Sequence, residues 1–241
     1  MSIHKLHFDM TIPFDPQTNK NFLVRTKYTS KGYSKSLVPK VDLQGLLSTF
    51  SKNTRRQITT SQRLLQQQGL LELDVIPKGN KNNALAAIAK IHIEQWGQSQ
   101  WGSGFENNQF TNFHYGMVEQ EAVSILKLTL DNKALAYGYY FCFNKRVYFY
   151  LSAIHKASDN RIKVGLLFHA LAMEYFSNKG YEIYDFLAGE ARYKKSLSDQ
   201  EYLLQSNCFT KNTLLSRTEQ WLRELKHKII KRVNRGNLKT R

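Results

Sequence analysis

Apolar and polar residues alternate with two periods along the chain, and these periods predict its regular elements. From Asp42 to Gln68 apolar residues recur at helical spacing, and Gly69 is a candidate C-cap. The next segment, LLELDVIP, is predicted to be a strand ended by Pro77. A second helix, NALAAIAKIHIEQWGQ, follows with Asn83 as its candidate N-cap, and SQWGSGFENNQ is predicted to be a long loop of the kind that often covers a ligand site.

The middle of the chain predicts a strand-rich core. Three strand candidates, at residues 122–130, 134–143 and 146–154, are joined by DNK and NK, which are short enough for antiparallel hairpins. Residues 162–177 are apolar on nearly every face, so this helix must be buried, and Gly180 ends it. YEIYDFL then forms a strand that should run parallel to the strand before the helix. YLLQSNCF is a further strand candidate.

These elements predict a single α/β domain over residues 42–212. Residues 1–41 are polar and broken by prolines, and they are strand-like only at 21–29, so we expect an irregular lead-in or the remnant of a first lobe. Residues 213–241 predict a basic amphipathic helix and tail.

The charge of the chain is unevenly distributed. The formal net charge is +16, with 11 basic and 3 acidic residues in 1–64, 9 and 2 in 217–241, and 15 and 14 between them. Basic ends around a neutral body suggest attachments for phosphate-bearing partners, although the same residues could be solvated helix faces. Apolar residues at 41% and aromatic residues at 12% exclude a disordered chain.

The cysteines and the apolar runs indicate the compartment. Cys142 and Cys208 lie far apart at no metal-ligand spacing, which predicts packed thiols in a reducing environment and no bound metal. No segment approaches the roughly 18 apolar residues of a membrane helix. We therefore expect a cytoplasmic protein.

One segment concentrates groups that can transfer protons. YDFLAGEARYKKSLSD places Asp185, Glu190, Tyr193 and Lys194 directly after a short apolar strand. A partly buried carboxylate there would be a candidate general base. The alternative is a salt-bridged turn with Tyr193 packed on the core.

Several motifs together resemble a known superfamily over roughly residues 43–210. A His-x-x-x-Trp helix (His92 and Trp96), a glycine opening the buried helix (Gly165) and the signature DFLAGEARYK carry the likeness. The chain resembles the GNAT acyltransferases, in the branch that contains the CelD cellulose-biosynthesis protein and is related to the Fem-type peptidoglycan transferases. The resemblance implies a mixed sheet with an N-terminal helical extension and a basic C-terminal helix.

The resemblance also implies a place for an acyl-CoA donor. In this superfamily the strands before and after the central helix part, and the pantetheine arm lies between them. Backbone amides of the first strand would face the thioester carbonyl, and the pyrophosphate would lie at the helix N-terminus. The implied donor-binding residues are Ser152, Ala153, Ile154, Arg161, Lys163, Val164, Gly165 and Leu166.

The resemblance assigns roles to the remaining candidates. Asp185 or Glu190 would be the base, Tyr193 the acid for the leaving group, and Lys194 an orienting or anion-binding cation. Arg55 and Arg56 would hold a phosphorylated substrate, or they are simply solvated. His92 and Trp96 would contact the substrate, with core packing as the alternative for both.

These implications predict an enzyme that transfers an acyl group, expected to be acetyl, from acyl-CoA to an amine of a sugar-containing cell-envelope or polysaccharide precursor. RIKVGLL has a single glycine, displaced by one residue from the superfamily's glycine loop, so aminoacyl-tRNA is an alternative donor. A non-catalytic basic binding module is the third possibility. The Fem-type relatives have two lobes, so we expect one functional lobe here or a chain that begins midway. The basic C-terminal helix would contact anionic lipid at the inner membrane face.

Overall fold

The computed structural model describes residues 5–13, 21–99, 102–219 and 221–222. Its strands are β1 (Lys5–Thr11), β2 (Phe22–Ser36), β3 (Leu71–Val75), β4 (Val123–Leu130), β5 (Lys133–Phe143), β6 (Arg146–Ile154), β7 (Ile183–Ala188) and β8 (Gln200–Lys211). Its helices are α1 (Leu43–Ser48), α2 (Lys52–Gln66), α3 (Lys81–Trp96), α4 (Asn108–Met117), α5 (Val164–Asn178) and α6 (Arg192–Leu197). The described residues within 32–202 form one compact unit, and those within 1–31 and 203–222 form another.

The larger unit is built on a mixed sheet in the order β2-β7-β6-β5-β4-β3. The strands β3 to β6 pair antiparallel, which confirms the predicted meander. The strands β6 and β7 pair in parallel, as the connection through α5 predicts. The expected mixed α/β fold is therefore confirmed.

Helices cover both faces of this sheet. Because neighbouring residues of a strand point to opposite faces, Ala136 and Tyr140 of β5 join one core cluster whereas Tyr137 and Tyr139 join another. The larger core cluster contains residues of α1, α2 and α5. The smaller core cluster contains residues of α3 together with Phe105 and Val118, which flank α4.

Three helix predictions need correction. The single helical stretch from Asp42 is two helices, because Ser51 caps α2 by accepting a hydrogen bond from the Thr54 amide at 3.2 Å. The helix α3 begins at Lys81 with Asn80 at its N-cap, so Asn83 lies inside it. Part of the predicted loop SQWGSGFENNQ enters the unpredicted helix α4, which Asn107 caps through the amides of residues 109 and 110.

The smaller unit contains two strands in the segment that was predicted as a lead-in, and β2 includes the predicted strand at 21–29. Its strand β1 pairs antiparallel with β8, from Lys5 opposite Thr210 to Thr11 opposite Gln205. The strand β2 is 15 residues long, and the hydroxyl of Thr26 donates to Asn207 at 2.9 Å. These polar strands find partners almost 200 residues away in the chain, which no local pattern reveals. The units divide the chain at residues 31 and 202, whereas the sequence predicted boundaries at 41 and 212.

The predicted C-terminal helix is described only at its start. Residues 214–219 and 221–222 are helical, and residues 220 and 223–241 of that prediction lie outside the described residues. Within the described ranges, no helix is both long and apolar enough to cross a bilayer.

Candidate active site

A gap opens between β6 and β7 in the middle of the larger unit. The two strands pair at three positions, and the last pair is Tyr148 with Asp185. Beyond it β6 continues to Ile154, paired only with β5 on its other side, and β7 continues to Ala188, paired with β2. The strands therefore part after Tyr148, and among the described strands the facing edge of β6 has no ladder partner beyond this point.

A β-bulge lies in β6 at this point. The partners Tyr139–Leu151 and Tyr140–Phe149 leave Tyr150 as an extra residue on β6. The bulge reverses the side-chain alternation, since Phe149 joins the larger core cluster whereas Leu151 and Ala153 pack with the smaller one. The side chain of Tyr150 therefore lies on the face of the sheet that carries α3.

The direction of each amide in β6 follows from the ladder with β5. The amide of His155 donates to the Leu135 carbonyl at 2.8 Å. In an antiparallel ladder alternate residues bond the same neighbour, so the Ala153 amide also points to β5. The amides of Ser152 and Ile154 point away from β5, towards the gap. Of the three amides that the resemblance implied, the geometry places these two at the gap and Ala153 in the ladder.

The open end of the gap meets the N-terminus of α5 at a cavity. This cavity has a volume of about 280 Å³, and its lining includes Ile154, Asn160, Lys163, Val164 and Gly165. The side chain of Lys163, the N-cap residue, makes no hydrogen bond to the first turn of α5, so the amides of residues 164–166 and the helix dipole are available to an anion. A Cβ added to Gly165 would lie 3.2 Å from Ile154 Cδ1, so any side chain here would press on Ile154 at the cavity.

Four predicted donor-binding residues are not part of the cavity lining: Ser152, Ala153, Arg161 and Leu166. Leu166 is half-buried against the larger core cluster, so it does not fill the cavity. Arg161 is exposed and forms a two-point ion pair with Asp159, at 2.7 Å from Nη2 to Oδ2. This hydrogen bonding lowers the pKa of the Asp159 carboxyl. The Arg161 charge is therefore largely compensated within its own loop.

Asp185 is almost fully buried, and three donors hold its carboxylate. Arg146 Nη1 donates at 2.8 Å to one oxygen, and the Tyr202 hydroxyl at 2.6 Å and the Leu187 amide at 2.8 Å donate to the other. Asp185 is 1% exposed. Burial of the carboxylate is thus compensated by one cation and two further hydrogen bonds. This arrangement matches the salt-bridged alternative that the sequence left open.

The Asp185 carboxylate also stabilises an unusual backbone conformation. Leu187 has a φ of 58°, in the left-handed region that non-glycine residues seldom adopt. The register between β2 and β7 shifts between Gly32 and Ser34, so β7 bulges at this position. Because the Leu187 amide bonds to Asp185, the carboxylate holds the bend that turns the end of β7.

The rest of the signature surrounds the end of β7. Lys194 Nζ donates to the Phe186 carbonyl at 2.8 Å and also to the Ala188 carbonyl. Its ammonium group is therefore bound to the end of this strand. Burial lowers the Lys194 pKa, while Asp185 opposes that shift. Tyr193 stacks on His169 with ring centroids 5.3 Å apart, and burial raises its pKa to about 12. Glu190 is exposed.

The four predicted substrate residues lie on different faces of the sheet. His92 is half-buried on α3, where its Nδ1 lies 2.9 Å from the Ser103 hydroxyl, and burial lowers its pKa. Trp96 ends the same helix and is 51% exposed. Arg55 and Arg56 are exposed on α2, among the helices of the other face. The structure therefore does not bring the arginine pair together with His92 and Trp96.

Sequence reasoning missed a cluster of rings beside the gap. His114 is 1% exposed, and its two ring nitrogens each lie 3.2 Å from a hydroxyl, Nδ1 from Tyr139 and Nε2 from Tyr150. Burial lowers the pKa of His114 and raises that of both tyrosines. The only sequence feature that points to this cluster is a histidine within the mixed polar and aromatic segment FTNFHYGM. That pattern does not indicate which residues His114 contacts.

Two other missed residues complete the site. Arg146 pairs with Asp185, and its position as the first residue of a predicted strand gave no indication of that role. The buried Ser61 of α2 accepts a hydrogen bond from the Lys163 amide at 2.7 Å and thereby fixes the start of α5. Within the described residues, no cluster of three His, Cys, Asp or Glu side chains is suited to hold a metal ion.

Solved structures with related folds support the same architecture. A conserved protein of unknown function from Bacteroides thetaiotaomicron has a TM-score of 0.54 at 12% identity over 81% of this chain and 64% of that one. FemX has a TM-score of 0.53 at 11% identity over 86% of this chain and 66% of that one. The C-terminal domain of a putative lysylphosphatidylglycerol synthetase from Agrobacterium fabrum has a TM-score of 0.54 at 9% identity, with 86% and 68% covered. This chain therefore spans about two thirds of their length, and the likeness concerns the fold.

Sequence comparison identifies the family. The sequence has no significant match among curated proteins. A family model described as an acetyltransferase (GNAT) domain matches residues 52–195, which include the parted strands, the helix α5 and the signature that follows it. The chain therefore belongs to the GNAT acetyltransferase domain family.

Proposed function

We propose that this protein transfers an acyl group, most simply acetyl, from acyl-CoA to an amine on a sugar-containing cell-envelope or polysaccharide precursor. The observation that carries the proposal is the parting of β6 and β7 after Tyr148 and Asp185, with a cavity at the N-terminus of α5 where the gap opens. Such a gap suits a long, narrow donor with an anionic end.

The donor would lie along β6 in this proposal. Its pyrophosphate would occupy the cavity at α5, where the amides of Val164, Gly165 and Leu166 and the charge of Lys163 favour an anion. The thioester would lie deeper in the gap, where the Ser152 amide can stabilise the negative charge that develops on its carbonyl oxygen, while the Ile154 amide would contact the donor nearer the cavity. Arg161 would contribute less than these groups because it is paired with Asp159.

The signature residues divide into two roles under this proposal. Asp185 and Lys194 hold the end of β7 through their hydrogen bonds, so they position the gap. Glu190, which is exposed, is then the better placed of the two predicted carboxylates to accept a proton from an amine, directly or through water. Tyr193, whose pKa is raised to about 12, stays protonated at neutral pH and remains a candidate acid.

The acceptor would approach the face of the sheet that carries Arg146 and Tyr150, which are partly exposed beside the gap. Basic residues near both ends of the chain, and Arg55 and Arg56 on α2, suit an acceptor that carries phosphate. The helix that starts at residue 214 exposes a set of large apolar side chains, which suits contact with an anionic membrane surface: Leu214, Leu215, Trp221 and Leu222.

A second candidate donor is aminoacyl-tRNA. The likeness of fold to FemX and the net charge of +16 favour it. Electrostatic binding of tRNA should weaken by orders of magnitude as salt rises, whereas a pantetheine slot should lose far less affinity.

Calorimetric titration with acetyl-CoA, longer acyl-CoAs, desulfo-CoA and a charged tRNA tests these alternatives. Binding of acyl-CoA and desulfo-CoA that changes little with salt supports the proposal. Salt-sensitive binding of charged tRNA alone supports the second donor. Binding of none of them would leave a non-catalytic module on a GNAT scaffold. Lys163→Ala should weaken acetyl-CoA binding about tenfold, whereas Lys52→Ala on an exposed position of α2 serves as the matched control.

A further inference from the structure

Tyr150 lies on β6 just beyond the point where β6 and β7 part. It is the bulged residue of β6, and it follows the last paired position, Tyr148, by two residues. Its side chain is 36% exposed although its ring is surrounded by the rings of His114, Tyr139 and Phe141, with centroids 4.9 to 5.7 Å away. The ring is therefore fixed by packing while its edge reaches solvent.

Hydrogen-bond requirements determine which way the protons of this cluster point. Tyr139 is fully buried, and its hydroxyl has a hydrogen-bond partner among the described residues. Its hydroxyl lies 3.2 Å from His114 Nδ1, so its proton is satisfied when it donates to that nitrogen. His114 must then carry its own proton on Nε2 and donate it to the Tyr150 oxygen. The hydroxyl proton of Tyr150 is left to point outward.

The reactive end of the proposed donor should lie close to this proton. The pyrophosphate cavity is at Ile154, at the open end of the gap, and Tyr150 is four residues back along β6, or about 13 Å at the rise of a strand. A pantetheine arm that enters from the cavity must run towards Tyr148, where the strands close. The thioester at the tip of the arm is thereby brought to the bulge.

We propose that Tyr150, rather than Tyr193, which packs on His169 and the larger core cluster, is the catalytic proton donor and that His114 is the positioning residue that orients it. This inference rests on the proposed acyl-CoA donor. The amine nitrogen attacks the thioester carbon, and the carbon–sulfur bond then breaks with its electron pair leaving on sulfur. The Tyr150 hydroxyl gives its proton to that sulfur, and the resulting phenolate accepts the hydrogen bond from His114 Nε2. The phenolate, in place of Glu190, takes the surplus proton from the acylated nitrogen, so one proton has moved from nitrogen to sulfur and Tyr150 is regenerated.

The variant Tyr150→Phe tests the donor because it removes only the hydroxyl. With acetyl-CoA and a panel of amino sugars headed by glucosamine, kcat should fall about 100-fold while the acetyl-CoA affinity stays within twofold. Tyr115→Phe is the matched control, since Tyr115 on α4 is also 36% exposed, and it should leave both values unchanged. Equal activity of Tyr150→Phe and the wild type would overturn the assignment.

Leaving-group dependence separates proton donation from a structural role. Thiophenyl acetate releases a more acidic thiol that departs without protonation, so the loss caused by Tyr150→Phe should shrink to less than fivefold with this substrate. A loss equal for both substrates would mean that the hydroxyl does not protonate sulfur. Nitrogen NMR should show His114 protonated on Nε2, and Tyr139→Phe should abolish that preference and lower kcat without changing acetyl-CoA affinity. A wild-type His114 protonated on Nδ1 would refute the orientation.

These outcomes separate the two proposals. A wild-type protein that neither binds nor turns over acetyl-CoA refutes the proposed function. The proposed proton transfer from Tyr150 to the sulfur of CoA is then refuted as well. A wild-type protein that turns over acetyl-CoA beside an equally active Tyr150→Phe refutes the role of Tyr150 alone.

Discussion

The buried carboxylate of Asp185 gives the sharpest prediction about stability. Asp185→Asn keeps the size of the side chain but removes its charge and replaces one acceptor oxygen with an NH₂ group. That group would face Arg146 on one side or the Tyr202 hydroxyl and the Leu187 amide on the other. Either orientation sets donor against donor at a site that is 1% exposed.

The expected cost follows from the environment of each partner. Removing one member of a buried ion pair typically costs 3–5 kcal/mol, and the Arg146 side chain is 33% exposed, so its charge can be partly hydrated in the variant. The lost bond to Leu187 removes support from a residue held at a φ of 58°. We expect Asp185→Asn to lower the free energy of unfolding by about 3 kcal/mol.

Urea denaturation followed by far-UV circular dichroism measures this change. Glu190→Gln is the matched control, because it neutralises an exposed carboxylate five residues along the same segment and should change stability by less than about 0.5 kcal/mol. If Asp185 were instead a free general base, Asp185→Asn would suppress turnover with a stability like that of the control. A loss within about 0.5 kcal/mol of Glu190→Gln would therefore refute the positioning role.

Three further predictions concern α5 and its surroundings. Ser61→Ala leaves the Lys163 amide without its acceptor and should lower the unfolding free energy by about 1–2 kcal/mol in urea, whereas Ser48→Ala at an exposed position of α1 should change little. Burial lowers the pKa of His169 to about 3, so between pH 6.5 and pH 3 only the unfolded chain takes up its proton. Because of His169, the free energy of unfolding should therefore fall by about 1.4 kcal/mol per pH unit as the pH drops through this range. The free energy of unfolding of His169→Asn should depend less steeply on pH, and an equal dependence in both proteins would contradict the prediction. Arg161→Ala should weaken desulfo-CoA binding less than Lys163→Ala, because Arg161 is exposed and paired with Asp159; the reverse order in calorimetry would be evidence against the cavity at α5 as the anion site.

Much of the larger unit could be predicted from local patterns. The strands β4 to β6, the helix α5 and the strand β7 lie within a few residues of their predicted bounds, because each has a strong apolar pattern and is bounded by short turns or glycine. The strand β1 and the helix α4 were missed, because their side chains are polar or mixed and their partners are remote in sequence. The break between α1 and α2 depends on a single capping serine, Ser51.

The sequence by itself determined the order of these elements and the segment that carries the signature, since periodicity and turn residues act over a few neighbours. Only the tertiary structure decided what those residues do. The parallel register of β6 and β7 brings Arg146 to Asp185, and the bulge at Tyr150 turns a tyrosine towards His114. Both depend on strand pairing between distant segments, where a shift of one residue would send each side chain to the opposite face of the sheet.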